Sequence, residues 1–591
     1  METAVNKGVQ EMTTHLSWKV GGQQGEGIES TGEIFSTALN RLGYYLYGYR
    51  HFSSRIKGGH TNNKIRVSTT PLNAISDDLD ILVAFDQETI DVNSGELISG
   101  GVILADSKFK PVKPEGLDAH LFSIPFTEIA NNLGTSLMKN MVAIGASSAL
   151  LGLEPEHFEG VVQQIFGRKG DAVVKNNMNA IREGMASFEK ESDQANVRFK
   201  LDPVKPEKRM FMIGNDAIAL GALAGGARFM PAYPITPASE IMEYLIKKLP
   251  EYGGTVIQTE DEIAACTMAI GANYAGVRAL TASAGPGLSL MMESIGLSGI
   301  TETPLVIVDT QRGGPSTGLP TKQEQSDLMA MIYGSHGEIP KIVMAPSTVE
   351  EAFYDTIEAF NLAEEYQCPV ILLSDLALSL GKQTVDRLDY DKIEIRRGKF
   401  DPDQELPELD KNEYFKRYAD TEDGISERVI PGMKNAIHHV TGVEHNEQGK
   451  PSESPENRNT QMNKRMKKLQ ELHEAFPQPL FTDIRHEKAD LLILGFNSTR
   501  GTIQEAIPRL EEDGVKVNHA HVRLLHPFPK DEVKKLMEQA GRVVVVENNA
   551  TGQLAKVIKM ETGADQLETV NKYDGNPFLP GELHHACKEL V

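Results

Sequence analysis

The sequence predicts a multidomain α/β protein, and three observations carry that expectation. Short apolar runs alternate with amphipathic helical stretches along most of the chain. At 591 residues there is room for about three or four domains of roughly 100 to 200 residues each. An apolar fraction of 40% and a charged fraction of 24% are those of a globular protein, and no run of ~18 apolar residues offers a membrane span.

Residues 1–200 form the first expected domain. The runs LSWKV, GYYLYGY, DILVAF and GVILAD alternate there with helical stretches such as IESTGEIFSTALNRLG, the rhythm of a parallel α/β sheet. The polar stretch ANVRFKLDPVKPEK breaks the periodicity and places a linker near residues 193–208. A second domain, 208–390, restarts it at RMFMIGNDAIALGALAGG and holds the strands ALTAS, TPLVIVDT and PVILLSD. Residues 391–485 are rich in charge, and their KPSESPENRNTQ segment cannot easily supply an apolar core. They read as a connector, helical near NKRMKKLQELHEAF. The last domain, 486–591, returns to alternation with ADLLILGF, VKVNHAHV and GRVVVVENN.

A formal charge of −23 repels phosphate backbones, so nucleic acid is not an expected partner. METAVNKGVQEMTTH lacks the basic start and apolar stretch of a secretory signal, which makes the cytoplasm the expected compartment. Cys266, Cys368 and Cys587 are too scattered for a local zinc or iron–sulfur motif, and no metal is expected on this chain. Glu444, His445 and Glu447 cluster in TGVEHNEQGK, yet acids around one histidine read more simply as solvated surface.

Four segments carry candidate chemistry. In MPAYPITPASEIMEYLIKKL a buried strand leads to a helix with Thr236 expected at its N-cap and Pro237 at its first position. Capping alone explains both residues, but that cap also lies at the carboxyl edge of a parallel sheet, where α/β proteins bind ligands. In IQTEDEIAACTMAIGANYAG, Glu262 opens an Ala- and Gly-rich helix, either as a capping acid or as a carboxylate presented to a crevice. TASAGPGLSLMMESIG places Gly285 and Gly287 in a turn after a strand, and TPLVIVDTQRGGPSTGLPTKQEQSDL puts Arg312 at a strand end. The Arg312 fork suits a ligand carboxylate, or a structural pair with a local acid. Finally, WKVGGQQGEGIESTG sets Gly21, Gly22, Gly25 and Gly27 between strand and helix, a phosphate cradle. It departs from Gly-x-Gly-x-x-Gly, and the next strand ends in Arg50 rather than an acid that would hold a ribose, which disfavours NAD. Arg50, Arg55 and Lys57 suit a more highly phosphorylated ligand.

Glu262, Ala265, Met268, Ala269 and Gly271 together resemble the pyrimidine-binding domain of thiamine diphosphate enzymes. YPITP and RGGPSTGLPT resemble the alpha subunit of 2-oxoacid:ferredoxin oxidoreductases, and LLHPFP with ENNATGQLA resembles the transketolase C-terminal-like domain of that family. The resemblance implies a fused gamma domain at 1–200, a pyrimidine-binding thiamine diphosphate domain at 208–390 and the transketolase C-terminal-like domain at 486–591. It implies that Glu262 hydrogen-bonds the aminopyrimidine and favours its imino tautomer, with Glu260 the poorer match. It also implies that Gly285 and Gly287 contact thiamine diphosphate, and that Thr236, Arg312 and Thr321 bind the 2-oxoacid, Thr236 and Arg312 within the catalytic site. Gly22, Gly25, Gly27, Arg55 and Lys57 would lie near coenzyme A.

Thiamine enzymes anchor the diphosphate through a metal held by a Gly-Asp-Gly stretch, and no such pattern is found in the sequence. In the family that half of the site belongs to a beta subunit, which would supply Mg2+ and [4Fe-4S] clusters and share the cofactor at its interface. A heterotetramer, a dimer of alpha-beta heterodimers, is then expected, with ferredoxin docking on the beta subunit because this chain is strongly acidic. The implied reaction is CoA-dependent oxidative decarboxylation of a 2-oxoacid to acyl-CoA and CO2, with electrons passed to ferredoxin. 2-Oxoglutarate is favoured over pyruvate and branched-chain 2-oxoacids, which a difference of one methylene, worth about 1–3 kcal/mol, leaves close. The rivals are a transketolase-like transferase or non-oxidative decarboxylase, opposed by YPITP with RGGPSTGLPT, and a non-catalytic nucleotide-binding regulatory protein, opposed by Glu262 with Arg312.

Overall fold

The computed structural model describes residues 12–53, 58–192, 199–411, 413–470, 472, 476 and 478–591. The chain divides into two compact units. The first comprises Met1–Met212, Gly381–Arg387 and Leu579–Gly581, and the second Ile213–Leu380, Leu388–Phe578 and Glu582–Val591.

The first unit is built on an eight-stranded sheet. Its order is Ala119–Ile124, Leu97–Asp106, Leu79–Ala84, His15–Gln23, His60–Ser68, Tyr45–His51, Lys382–Val385, Met210–Ile213. The first four strands run parallel, as the alternation predicts. His60–Ser68 instead runs antiparallel to both of its neighbours, because the chain between it and Tyr45–His51 is too short to hold the crossover helix that parallel pairing requires. The core centres on Trp18, which stacks on Phe35 at 4.4 Å and donates its indole N–H to Ser147 Oγ at 3.1 Å.

The second unit holds two five-stranded sheets. One has the order Leu280–Ser283, Leu305–Gln311, Pro369–Asp375, Ile342–Met344, Leu524–His526, all parallel except the last. A parallel pair, Phe229–Ala232 with Thr255–Gln258, adjoins it through a bridge between Phe229 and Ala279. LVIVDTQ and PVILLSD are buried at every residue, the continuous run expected of a strand covered on both faces. The other sheet has the order Leu480–Asp483, Val517–Val522, Ala489–Gly495, Ala540–Glu547, Glu568–Asn571. Ile307, Ile371 and Leu373 share one apolar cluster with Leu492, Leu494, Phe496 and Val545, which joins the two sheets.

Between the sheets in sequence, residues 391–470 hold only a small apolar cluster, Leu406, Val429 and Ala436 with Phe415 and Met433, and are fastened largely by buried charge. Glu364 receives Arg278, Arg397 and Arg428 at 2.8, 2.6 and 2.6 Å, and Glu302 receives Lys464 and Lys468 at 2.7 and 2.5 Å. The Glu444, His445 and Glu447 side chains do not converge. Glu444 pairs with Arg458 and Arg465, Glu447 pairs with Lys416, and the His445 ring lies on Tyr418 at 4.2 Å. No group of three potential metal ligands occurs among the described residues.

Candidate functional site

The candidate groups of the second unit gather at the carboxyl ends of its parallel strands, the edge where open α/β sheets bind ligands. The strand Phe229–Ala232 runs into the YPITP turn, where the Ala238 and Ser239 amides both donate to the Ile235 carbonyl at 2.8 and 3.1 Å. That turn, with a cis Thr236–Pro237 bond, delays the helix to Ser239–Lys248, with Ala238 as its cap. Thr236 is therefore not an N-cap. It is a half-buried turn residue whose carbonyl accepts Arg312 Nη1–H at 2.6 Å, which brings together two residues that the sequence marks separately.

Asp261 caps the helix Glu262–Tyr274 by accepting the Ala264 amide at 2.7 Å, so Glu262 falls at its first position, where the dipole favours a carboxylate. Glu262 is only 6% exposed and makes no side-chain hydrogen bond among the described residues, whereas Glu260 is exposed. Gly287 presses against it. A Cβ built on Gly287 would stand 2.0 Å from Ser283 Oγ and 2.7 Å from Glu262 Cγ, so only glycine fits there. Gly285 and Gly287 lie in the first turn of the helix Gly285–Ile300 rather than in a separate turn, because Pro286 fits a first helical turn without loss of a bond. A Cβ on Gly285 would reach within 2.6 Å of Asp327 Oδ1.

The strand Leu305–Gln311 delivers Arg312, 6% exposed. Its Nη2–H donates to the Thr317 carbonyl at 3.1 Å, while Nε is buried without a partner. Burial lowers the pKa of its guanidinium, and Asp327 opposes that shift. The following loop doubles back, Gly313 donating its amide to the Lys322 carbonyl at 3.0 Å, which brings half-buried Thr321 beside that closure. Three groups here escaped the sequence reading. Ser283 Oγ and both carboxyl oxygens of Asp309 are buried without partners, and Asp327 lies against Gly285. One acid inside the apolar run LVIVDTQ was the available signal.

In the first unit Gly22 belongs to the strand, not the loop, while Gly25 and Gly27 follow it with φ of +97° and +83°. Gly27 caps the helix Ile28–Leu42 and accepts Asn140 Nδ2–H at 3.2 Å. Gly25 faces open space, as a cradle for a ligand would. Arg50 pairs with Glu29, and Arg55 and Lys57 lie outside the described residues.

Three family models match consecutive stretches of the chain. They are pyruvate ferredoxin/flavodoxin oxidoreductase at residues 17–187, the thiamine diphosphate-binding model of pyruvate flavodoxin/ferredoxin oxidoreductase at 220–464, and pyruvate:ferredoxin oxidoreductase core domain II at 489–583. The 2-oxoacid:ferredoxin oxidoreductase subunit alpha of a Sulfolobus species is 36% identical, over 98% of this chain and 97% of its own. The 2-oxoglutarate oxidoreductase subunit KorA of Mycobacterium tuberculosis is 31% identical, over 95% and 89%. Among solved structures, the 2-oxoglutarate:ferredoxin oxidoreductase of Magnetococcus marinus, with 2-oxoglutarate, coenzyme A and succinyl-CoA bound, aligns at a TM-score of 0.90 and 36% identity. The alignment covers 98% of this chain and 99% of that one.

Proposed function

The chain belongs to the 2-oxoacid:ferredoxin oxidoreductase alpha-subunit family, and from that membership we propose that it works with a beta subunit to oxidise 2-oxoglutarate, with CoA, to succinyl-CoA and CO2, passing electrons to ferredoxin. The observation that carries the reading is Glu262, a buried carboxylate at a helix start with no internal hydrogen bond, closed in by a glycine that admits no side chain. Such a group is an acceptor held ready for a ligand, and it fits the aminopyrimidine of thiamine diphosphate. That cofactor, when bound, supplies a carbon nucleophile and an electron sink. Glu262 takes and returns a proton at its carboxylate oxygen, and the turn of Gly285 and Gly287, which packs directly against Glu262, contacts the cofactor beside it.

Arg312 receives the 2-oxoacid carboxylate through its unpartnered Nε–H, with Thr236 and Thr321 lining the same entrance. The favoured substrate follows the 2-oxoglutarate enzymes of Mycobacterium tuberculosis and Magnetococcus marinus, while the matching family models name pyruvate, which is the second reading. Gly25 and Gly27 of the first unit cradle the CoA phosphates, with Gly22 at the end of the strand that leads into them. Around Glu262 the exposed side chains Ile263, Met268 and Leu290, with Gly271, offer an apolar seat for the beta subunit, which carries Mg2+ and the [4Fe-4S] clusters. Two such pairs make the heterotetramer, and ferredoxin docks on the beta subunit. The three cysteines are buried and free, as suits a reducing cytoplasm.

The test is anaerobic purification of the tagged chain from its native host, followed by viologen reduction driven by 2-oxoglutarate, pyruvate or branched 2-oxoacids, with and without CoA. CoA-dependent reduction, fastest with 2-oxoglutarate, is the expected outcome. A faster rate with pyruvate selects the second reading, and an intact complex inert to every 2-oxoacid sinks both.

A further inference from the structure

The YPITP turn has few donors of its own. Pro234 and Pro237 lack an amide N–H, so the turn is fixed mainly through its carbonyls. Three consecutive ones are engaged. The Ile235 carbonyl takes the Ala238 and Ser239 amides, the Thr236 carbonyl takes Arg312 Nη1–H at 2.6 Å, and the Pro237 carbonyl takes Asn215 Nδ2–H at 2.7 Å. Arg312 follows the strand Leu305–Gln311, and Asn215 lies in the first turn of the helix Gly214–Ala224. Two side chains from different elements therefore hold neighbouring carbonyls of the turn.

Asn215 has no solvent exposure. A Cβ on Gly214, the residue before it, would stand 2.3 Å from the Leu378 carbonyl, so the helix start is pressed against the chain that follows the strand Pro369–Asp375. Leu378 is itself tied down, its amide donating to Asp375 Oδ1 at 2.9 Å. A carbonyl only accepts, which fixes the Asn215 amide with its nitrogen toward Pro237. The Oδ1 atom that remains is buried without a partner. Burial of such an acceptor costs folding free energy that an apolar side chain of similar size would not incur. Its one side-chain hydrogen bond among the described residues is to the Pro237 carbonyl, so the polar group serves the turn.

We propose that Asn215 is a positioning residue of the 2-oxoacid site. By holding the Pro237 carbonyl it fixes the turn that carries Thr236 and against which Arg312 is braced, and so sets the direction in which the Arg312 guanidinium meets the substrate carboxylate. This rests on the reading of Thr236 and Arg312 given above. Asn215 acts without touching the substrate: when its bond is lost, the Thr236 carbonyl one residue away shifts and takes the Arg312 fork with it.

The test compares Asn215→Ala and Asn215→Leu with Arg312→Ala in the full chain assembled with its partner. Asn215→Ala removes the donor, and Asn215→Leu removes it while filling the site and eliminating the unpartnered acceptor. Both Asn215 variants should raise KM for the 2-oxoacid about five- to tenfold, the scale of one net hydrogen bond, with kcat within about twofold of wild type. A fault confined to folding would lower the amount of active enzyme and leave KM alone. A second measurement needs no turnover: amide hydrogen exchange of residues 235–239 should quicken about tenfold in both Asn215 variants. Unchanged exchange in both overturns the proposal, as does an unchanged KM in both beside a raised KM in Arg312→Ala. If exchange quickens while Arg312→Ala also leaves KM unchanged, the assignment of Arg312 to the substrate fails, and the positioning role falls with it.

Discussion

Glu302 and Asp309 lie close in sequence, neither is exposed to solvent, and the protein handles their charges in opposite ways. Glu302 receives two lysine ammoniums, Lys464 and Lys468, and its backbone carbonyl accepts Arg417 Nη2–H at 2.8 Å. Those cations hold its carboxyl far below the usual range against the pull of burial. Asp309 receives nothing, and burial carries it the other way. A buried acid surrounded by cations fastens the chain; a buried acid left without them holds a proton. Glu262 likewise forms no ion pair among the described residues, but it lies at the edge of the sheet where a ligand can complete it.

The largest expected effect tests that placement of Glu262. Glu262→Gln keeps the shape and removes the proton acceptor, so turnover in the assembled enzyme should fall by about 10²- to 10⁴-fold, the range typical of acid–base assistance. Thermal unfolding of the chain should be unchanged, since no internal bond is lost. A variant that unfolds early while retaining its rate would move Glu262 to the structural class.

Glu302→Gln should do the reverse. Two buried ammoniums would lose their counter-charge, at a cost of about 3–5 kcal/mol in denaturant-monitored stability. Converting Glu302, Lys464 and Lys468 together to apolar residues of similar size should recover most of the loss. Failure of that triple variant to recover would mean that the cluster does more than fasten residues 391–470.

These two outcomes also mark what the sequence could and could not disclose. Glu262 was legible because a strand, an acid and a small-residue helix follow one another locally, and the capping rules place such an acid at the helix start. The apolar strands were legible for the same reason. The partners of Glu302 and Glu364 were not, because Arg278, Arg397, Arg428, Lys464 and Lys468 are scattered along the chain and no local pattern encodes their meeting. The charge-rich stretch is held largely through those pairs. Thr236 was misplaced as a helix cap because Ser/Thr-Pro is a local signal, whereas the observed start is decided by the Ile235 carbonyl capturing two successive amides. Asp309 reads as the one acid in a largely apolar strand; only burial from both sides makes it unusual.

Arg312 provides a smaller effect and a finer division. Its Nη1 and Nη2 each give one N–H to the Thr236 and Thr317 carbonyls, and Nε is buried without a partner. Arg312→Ala should weaken 2-oxoacid binding by about 2–5 kcal/mol, read as KM, while thiamine diphosphate affinity survives. Arg312→Lys keeps the charge and loses the fork, so it should recover only part of the binding. Equal loss of cofactor affinity would assign Arg312 to holding the turn rather than the substrate.

The last comparison separates the two buried acids most sharply. If Asp309 carries its proton in the folded chain, folding at neutral pH must protonate an acid that the unfolded chain ionises, so Asp309→Asn, which lifts that cost, should stabilise the chain, and the more so as pH rises above the ordinary carboxyl range. Its neighbour adds a second contribution of the same sign. Asp327 is pushed from an ordinary 3.8 to about 6, so the folded chain keeps a proton that the unfolded chain has released. That stabilisation is complete below the unfolded value and is lost as pH rises through about 6, and Asp327→Asn should flatten stability over that interval. Urea titrations of wild type and both variants at several pH values between 4 and 7 measure this directly. A loss at Asp309→Asn as large as that at Glu302→Gln would mean that Asp309 is ionised and paired, and the division drawn between the two acids would fail.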